Sequence, residues 1–587
     1  MICADDEDIV LSGVLKHESM LIWGSEDLEE NNLDGSVLSD NVGSNTYVLF
    51  NLSGVHIGTD YFGLGKLFYY MSKERIIVSN RYQLLIYYMN ATDIGCTLDK
   101  EIVYAYMSYN DVFANQPFSD KMIFADTRLL SPEYNMYFDK SGLLFKKTEF
   151  SSMISNIRPL SSEEYSESLK ESKREIIECL KCCLNNKRFD TIVMDLSGGL
   201  DSRVSFAAAT NIKDANKLIK IRSVGDENSK DVICATNMAD SFGFELDFSL
   251  NKIQNIKSDN IDYLANITKQ EYLERILSVD FGSSDPGILF GSSTLDRTLN
   301  IKGFCGEMIR PDLNRSIFFF PLQQDVVMKK YIESSEDYGL IDYDACGKYR
   351  DILLRETFAS LHGDDICKCE QMNLYFYNRF HFDLMPRSFE IPVWSVHLSK
   401  TAVKTMYSSL LMFKSPKFIY DLIYILNPKV AQFEYQDTIY QAERIVSFNP
   451  PYDKYFKIIS CDKVNENYWR GMNNYNSFRY SVMNVDVPGK YKDEWSNAEI
   501  QSKMYSMMCD WIDYIESTNS EIIAPMMGSF KHQLECCKKG DPSDFQVRKR
   551  YTILFKRLSS IANALKLRSD RSIEVINSPH TILKLCN

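Results

Sequence analysis

The sequence predicts a mixed α/β protein: an α+β N-terminal part, then a parallel sheet flanked by helices, then a helix-rich C-terminal part. Three observations carry this. Short runs rich in β-branched and aromatic residues alternate with Gly and Asp turns over residues 44–87 and 121–149. Strand and helix patterns alternate as β-α-β-α-β from residue 191 to residue 250. Beyond residue 320 helical periodicity dominates, with loops around residues 449–490.

In chain order, SNTYVLFNLSG, VHIGTDYFGLGKLFYYM and RIIVSN read as strands, and RYQLLIYYM as a helix. Residues 121–149 return to strand patterning, with a turn at Ser141-Gly142. LSSEEYSESLKESKREIIECLKCCL opens on Ser, carries Glu in its first turn and spaces its apolar residues for a long amphipathic helix. FDTIVMDLSGGLDS reads as a buried strand (Thr191-Ile192-Val193-Met194), a Gly turn, and a helix from about Ser202. KLIKIRSVG is a second strand, SKDVICATNMADSFG a helix ending at Gly243, and FELDFSL a third strand. Near the end, YTILFKRLSSIANALKL puts Leu554, Leu558, Ile561 and Leu565 on one stripe, an amphipathic helix packed on the core. The divisions are 1–150, 151–440 and 441–587, within the two to four domains that 587 residues allow.

Composition excludes several classes. Hydrophobic residues at 45% and charged residues at 25% are those of a globular protein, and 26 Gly and 16 Pro exclude a collagen-like or Pro-rich chain. A net charge of −14 argues against a general nucleic-acid binder, which needs a basic face. No apolar run approaches the roughly 18 residues of a membrane span. MICADDEDIV lacks the basic and apolar regions of a signal peptide, so a cytoplasmic protein without membrane partners is expected. The first 40 residues hold eleven acids and one Lys, and Phe545 onwards holds nine Lys/Arg and two acids. These read as solvated ends, with a basic docking face for an acidic partner as the alternative. The fifteen cysteines form no framework and are read as reduced thiols. Cys179, Cys182 and Cys183, and the Cys367/Cys369 pair, lack companions at zinc spacing, and the seven His are isolated.

The chemistry concentrates in Ser197-Gly198-Gly199-Leu200-Asp201-Ser202, between a strand and a helix. Two Gly allow close backbone approach to a phosphate. The helix start supplies free N–H donors and a partial positive charge, and Ser197 and Ser202 add hydroxyls. Asp201 would repel phosphate unless Mg²⁺ lay between them. The segment is neither a Walker A loop nor a GxGxxG turn.

SGGLDS resembles the signature of PP-loop ATP pyrophosphatases, and its surroundings resemble the asparagine synthetase family. That family includes the β-lactam synthetases, lasso-peptide cyclases and synthetase-like proteins of polysaccharide clusters. The likeness extends over most of residues 45–430. IRSVGDENSKDVICATNMADSFGFE resembles the family's second strand and helix, with Ala235, Ala239 and Gly243 in place. The resemblance implies that the backbone near Asp195, Leu196 and Val224 lines an adenine, that residues 197–202 hold ATP phosphates, and that Mg²⁺ is the metal. Lys302-Gly303-Phe304-Cys305-Gly306-Glu307 is similar to a Gly-rich acidic loop of the family. Gly303 matches, Glu307 falls at its second metal-binding carboxylate, and Phe304 replaces a Glu. Arg310 is read as an exposed cation beside this loop, with pyrophosphate or a substrate carboxylate as the alternative targets. SFEIPVW resembles a further stretch, with Glu390 and Pro392 matching and the family's Arg missing at Ile391. Glu390 is the candidate general base and Lys414 the candidate phosphate-stabilising lysine, with Lys429 second.

The N-terminal part resembles the family's class II glutamine amidotransferase domain, an Ntn-hydrolase-like fold, only over GTDYFGLGKLFYYMSKERIIVSNRYQLLI. That chemistry needs a cysteine whose own α-amine is free. Ile2 follows Met1 and the cysteine is third, so this domain is read as degenerate. The resemblance then implies an AMP-forming carbon–nitrogen ligase. It would adenylate a carboxylate on a peptide or small natural-product precursor for attack by an amine. Alternatives are amidation of a sugar acid or similar carboxylate with ammonia, and a non-catalytic ATP-binding scaffold. A precursor peptide or a second copy of the chain are the protein partners this leaves open. Residues 441–587 would be a helical extension of the PP-loop domain.

Overall fold

The computed structural model describes residues 8–73, 75–107, 118–223, 229–246, 297–311, 344–379, 392–437, 440, 444, 498–518, 520–539, 554, 558, 562 and 582–586. Three sheets organise them. The first is antiparallel, in the order β2-β1-β3-β4-β8-β9: β1 Asp8–His17, β2 Met20–Trp23, β3 Gly43–Asn51, β4 Gly54–Thr59, β8 Tyr134–Asp139 and β9 Gly142–Lys147. The second is also antiparallel, in the order β14-β6-β5-β7: β5 Phe68–Met71, β6 Arg75–Ser79, β7 Thr127–Leu129 and β14 Ile582–Cys586. The third is parallel, in the order β11-β10-β12-β13: β10 Thr191–Asp195, β11 Ile219–Arg222, β12 Thr298–Ile301 and β13 Val393–Trp394. The protein is therefore mixed α/β.

The two antiparallel sheets share a core. Val48, Ile57 and Met136 of the first sheet pack with Tyr69, Ile76 and Val78 of the second. On β3 the neighbours Tyr47 and Leu49 join a separate cluster with Leu28 of the Gly24–Glu30 helix, as a strand's alternation dictates. Two strands lie in the acidic N-terminal stretch, and β1 runs through the uncharged residues 9–15, a stretch missing from the sequence reading. Gly13 on β1 (φ +105°) lies against Ser44 O, where a Cβ would stand 2.2 Å away. The Tyr82–Ala91 helix and the turn at Gly142 (φ +107°) follow the sequence reading.

The turn between β4 and β5 is held by one buried carboxylate. Asp60 accepts hydrogen bonds from the amides of Asn45 (3.2 Å), Phe62 (3.1 Å), Leu64 (3.1 Å) and Gly65 (2.6 Å). A Cβ at Gly65 would fall 1.9 Å from Asn45 O. Arg379, buried, donates to Gly63 O and Leu130 O, and Lys66 donates to Arg379 O (3.1 Å). One hydrophobic cluster runs from Val14 and Phe62 through the parallel sheet to Phe530 and Leu558. The apolar core thus crosses residue 150 without a break.

The Ser162–Asn185 helix begins with a capping box in which Ser161 and Glu164 satisfy each other's backbone amides. It buries Tyr165, Leu169, Ile176, Cys179 and Cys183 along one stripe. β10 is apolar on both faces (Ile192, Val193 and Met194 are buried), as a central parallel strand must be. The Asp201–Ala209 helix and the Lys230–Phe242 helix follow as the alternation predicts, and Gly243 ends the latter at φ +68°. Of the expected third strand, residues 244–246 are described, and Leu246 bridges Ile221 in parallel. The sequence reading lacks β12 and β13, which are four and two residues long. Downstream helices span Asp344–Ser360, Asp365–Met372, Lys400–Phe413, Lys417–Leu426, Ala498–Ser517 and Ala524–Lys539. Leu554, Leu558 and Ala562 are buried, while Ile561 and Leu565 lie outside the described residues. Among the described residues no helix is long and apolar enough to cross a membrane.

Candidate functional site

Because the strands of the third sheet are parallel, the loops after β10, β12 and β13 leave the same edge, where ligands of α/β sheets bind. There, Ser197–Leu200 join β10 to the Asp201–Ala209 helix. The turn is tied by its own serines. Ser197 N donates to Ser202 Oγ (3.0 Å), the two hydroxyls lie 2.9 Å apart, and Gly199 N donates to Ser197 Oγ (3.2 Å). Gly198 N donates to Asp231 Oδ1 (2.7 Å), at the start of the next helix. Burial raises the Asp231 carboxyl to about 6, nearby Asp437 adds to the rise, and the Gly198 hydrogen bond opposes it.

The two loop glycines differ in need. Neither has a positive φ. At Gly198 a Cβ would meet Gln436 Cβ at 2.6 Å and Gln436 N at 3.0 Å, and Gln436 N donates to Gly198 O (3.2 Å). At Gly199 only Ser197 Oγ lies close, at 3.3 Å. Gly198 therefore answers a close approach by residues 433–437. Arg203, fully buried, fixes that approach: it donates to Phe433 O (2.7 Å) and Glu434 O (2.8 Å), and its guanidinium lies 3.7 Å from the Tyr435 ring centroid.

The acidic loop after β12 folds onto the helix start. A Cβ at Gly306 would stand 2.2 Å from Asp201 Cγ, and one at Gly303 3.2 Å from Ser202 N. Arg310 then overturns the expectation of an exposed cation. It is only 6% exposed, and it clamps Asp201 through Nε to Oδ1 (2.6 Å) and Nη2 to Oδ2 (2.8 Å). The same Nη2 reaches Glu307 Oε1 at 3.4 Å. Asp201 thus has a cation partner from the chain itself, whereas the sequence reading supplied one only as Mg²⁺.

His397, isolated in sequence, is central here. Its Nε2 lies 2.9 Å from Asp201 O, and Nδ1 lies 3.1 Å from Phe304 O and 2.9 Å from Ser395 Oγ. Ser395 Oγ also donates to Phe304 O. Burial lowers the His397 pKa, while Asp201 and the two carbonyl contacts oppose the fall, and the ring pins the helix start to the acidic loop. His397 stands in no motif, and Gly306 and Asp231 lie within stretches the sequence marks without singling either out; each matters through a partner distant in sequence.

Asp195, at the end of β10, pairs with Arg222 of β11 (2.7 Å) and with Lys302 after β12 (3.1 Å). With Leu196 N donating to Arg222 O (2.8 Å), the ends of three strands are stapled together. Leu200 is buried beneath the turn. Lys414 pairs with Asp364 (2.9 Å) and Lys429 donates to Ser241 O (3.2 Å). The structure thus gives both lysines partners outside the loop. Glu390 and Val224 lie outside the described residues.

Asp201 and Glu307 both approach Arg310 Nη2, at 2.8 and 3.4 Å, so the two carboxylates lie near one another. Mg²⁺ commonly takes one or two protein carboxylates and completes its shell with water and phosphate, so this pair fits it. Among the described residues no group of three or more His, Cys, Asp or Glu gathers as a metal cage. Cys179 accepts from Trp394 Nε1 (3.1 Å), and Cys182, Cys183, Cys367 and Cys369 are buried as packing residues. No protein-family model matches the chain, and no curated protein matches it.

Proposed function

We propose that the chain is an ATP-dependent, AMP-forming amide synthetase of the asparagine synthetase type, with a PP-loop domain and a degenerate Ntn-hydrolase-like N-terminal domain. One observation carries the reading. The SGGLDS turn sits at the carboxyl edge of a central parallel strand, and the acidic loop of the neighbouring strand is seated on Asp201. In this reading the amides of residues 197–199, now met by side-chain oxygens, are handed to phosphate oxygens. Ser197 and Ser202 supply further donors at the start of the helix.

Asp201 and Glu307 would hold the divalent cation, which when bound offsets charge on the pyrophosphate leaving group. His397 keeps the two carboxylate-bearing segments in register. Adenylation answers a chemical need: a carboxylate resists amines because oxide is a poor leaving group, whereas AMP is a good one. On this reading the substrate is a peptide or small natural-product precursor bearing both the carboxylate that is adenylated and the amine that attacks it.

A second reading, an ATP-binding scaffold without turnover, is favoured by the Arg310 clamp, which already neutralises Asp201. Calorimetric ATP titration with and without Mg²⁺ tests the site on the native chain and on Asp201→Ala. Mg²⁺-dependent binding that the variant loses supports the synthetase site, and a screen of amino-acid and peptide carboxylates for AMP and pyrophosphate release then separates enzyme from scaffold. Binding indifferent to both Mg²⁺ and Asp201 counts against the site.

A further inference from the structure

Around the loop, Arg222 and Lys302 pair with Asp195, Lys230 pairs with Glu434, and Arg203 faces backbone carbonyls. Arg310 differs, because it bridges the two carboxylates assigned above to a divalent cation. Its side chain is 7% exposed and those of Asp201 and Glu307 20% and 16%, so the three charges meet away from bulk water. Nη2 approaches oxygens of both acids, so guanidinium and metal compete for the same atoms. Asp201 has little room to back away, since the Gly306 backbone is packed against it.

We propose that Arg310 is a resident counter-ion that keeps free divalent cations off Asp201 and Glu307 and yields them when a phosphate takes over its guanidinium. The metal is then admitted only as its nucleotide complex. This inference rests on the polyphosphate reading of the SGGLDS turn. Its physical basis is that a guanidinium fork fits phosphate as well as it fits carboxylate. Transfer from Asp201 to a phosphate therefore keeps the buried charge compensated. A free metal ion brings no such acceptor, and its entry would set two cations side by side over one pair of acids, in a place where uncompensated charge is costly.

The test is Mn²⁺ binding to the full-length chain, read by depletion of the free Mn²⁺ electron paramagnetic resonance signal. It is run with Mn²⁺ alone and with Mn²⁺ plus α,β-methylene ATP. Arg310→Gln is expected to bind Mn²⁺ alone at least tenfold more tightly than the native chain, with the gap closing or reversing once nucleotide is present. Arg310→Gln combined with Asp201→Asn is expected to lose the gained binding, and its retention would place the metal elsewhere and overturn the proposal. Equal binding of Mn²⁺ alone by the native chain and Arg310→Gln, with nucleotide still bound by the native chain, refutes the competition and leaves the nucleotide reading standing. Failure of the native chain to bind nucleotide at any Mn²⁺ concentration removes that reading and the proposal with it. Should Arg310→Gln not fold, Arg310→Lys keeps the charge but loses the fork. It is expected to bind Mn²⁺ severalfold more tightly than the native chain, and equal binding overturns the proposal.

Discussion

Gly306→Ala adds one methyl group at the point where the acidic loop touches the helix start. Its Cβ would stand 2.2 Å from Asp201 Cγ and 2.5 Å from Asp201 Cβ and Oδ1, distances no side-chain shift of a few tenths of an ångström relieves. Either the loop lifts or the carboxylate leaves the Arg310 fork. Overpacking of this kind costs about 1–3 kcal/mol. Loss of a charge-assisted pair to a buried guanidinium costs a further 1.5–3 kcal/mol, roughly, if the carboxylate leaves. The two costs are alternatives in part, so about 3 kcal/mol in all is expected. For a cooperative unit of a few hundred residues that corresponds to roughly 6–12 °C in Tm. The control is Gly199→Ala, where the added Cβ meets only Ser197 Oγ at 3.3 Å and a shift near zero is expected. Differential scanning calorimetry of both variants, with ATP affinity measured in Mg²⁺, gives the comparison. A Gly306→Ala chain that melts within a degree or two of Gly199→Ala and binds nucleotide as well as the native chain would refute the claim that the acidic loop seats Asp201.

Three further outcomes are expected. The Asp231 carboxyl is raised to about 6 in the folded chain, so it favours folding when protonated. The stability of the native chain relative to Asp231→Asn should therefore fall as pH rises from about 4 to about 6, by up to about 3 kcal/mol, and stay flat above. Thermal melts of both chains from about pH 4 to about pH 7.5 would show it, and a difference that grows with pH would contradict it. Asp60→Ala leaves four backbone amides without their shared acceptor and should cost about 3 kcal/mol or more, read as a lower Tm; an unchanged Tm would deny the carboxylate its place in that turn. Brief alkylation followed by peptide mass mapping should label exposed Cys536 well before Cys179, Cys183 and Cys367, whose thiols burial pushes up. Early labelling of Cys179 would mean that the Trp394 contact does not shield it.

The sequence showed what is local and hid what is not. The Ser161/Glu164 capping box, the apolar run of β10 and the Gly243 helix end are each written within a few residues, and each stands where the pattern puts it. β12, by contrast, is four residues with Asn300 inside and no alternation. What makes it a strand is its place beside β10, which no window of sequence contains. β14 is a further case: Ile582–Cys586 pairs with Arg75–Ser79 of the N-terminal half, a partnership fixed by the packed molecule.

The same division explains the candidate site. SGGLDS was legible because one turn must supply small residues, hydroxyls and a helix start in a row. Its charge state was not, because the groups that set it are brought there by other strands. Arg310 lies 109 residues from Asp201 and His397 lies 196, and the parallel sheet delivers both to one edge. An aspartate in a Gly-rich turn, seen alone, calls for an outside cation. Seen with Arg310 in its fork it is already balanced, and the question the proposal raises is whether an anion can draw Arg310 away from Asp201. The competition experiment measures that, because only an incoming anion can take the guanidinium without leaving a buried charge exposed to nothing.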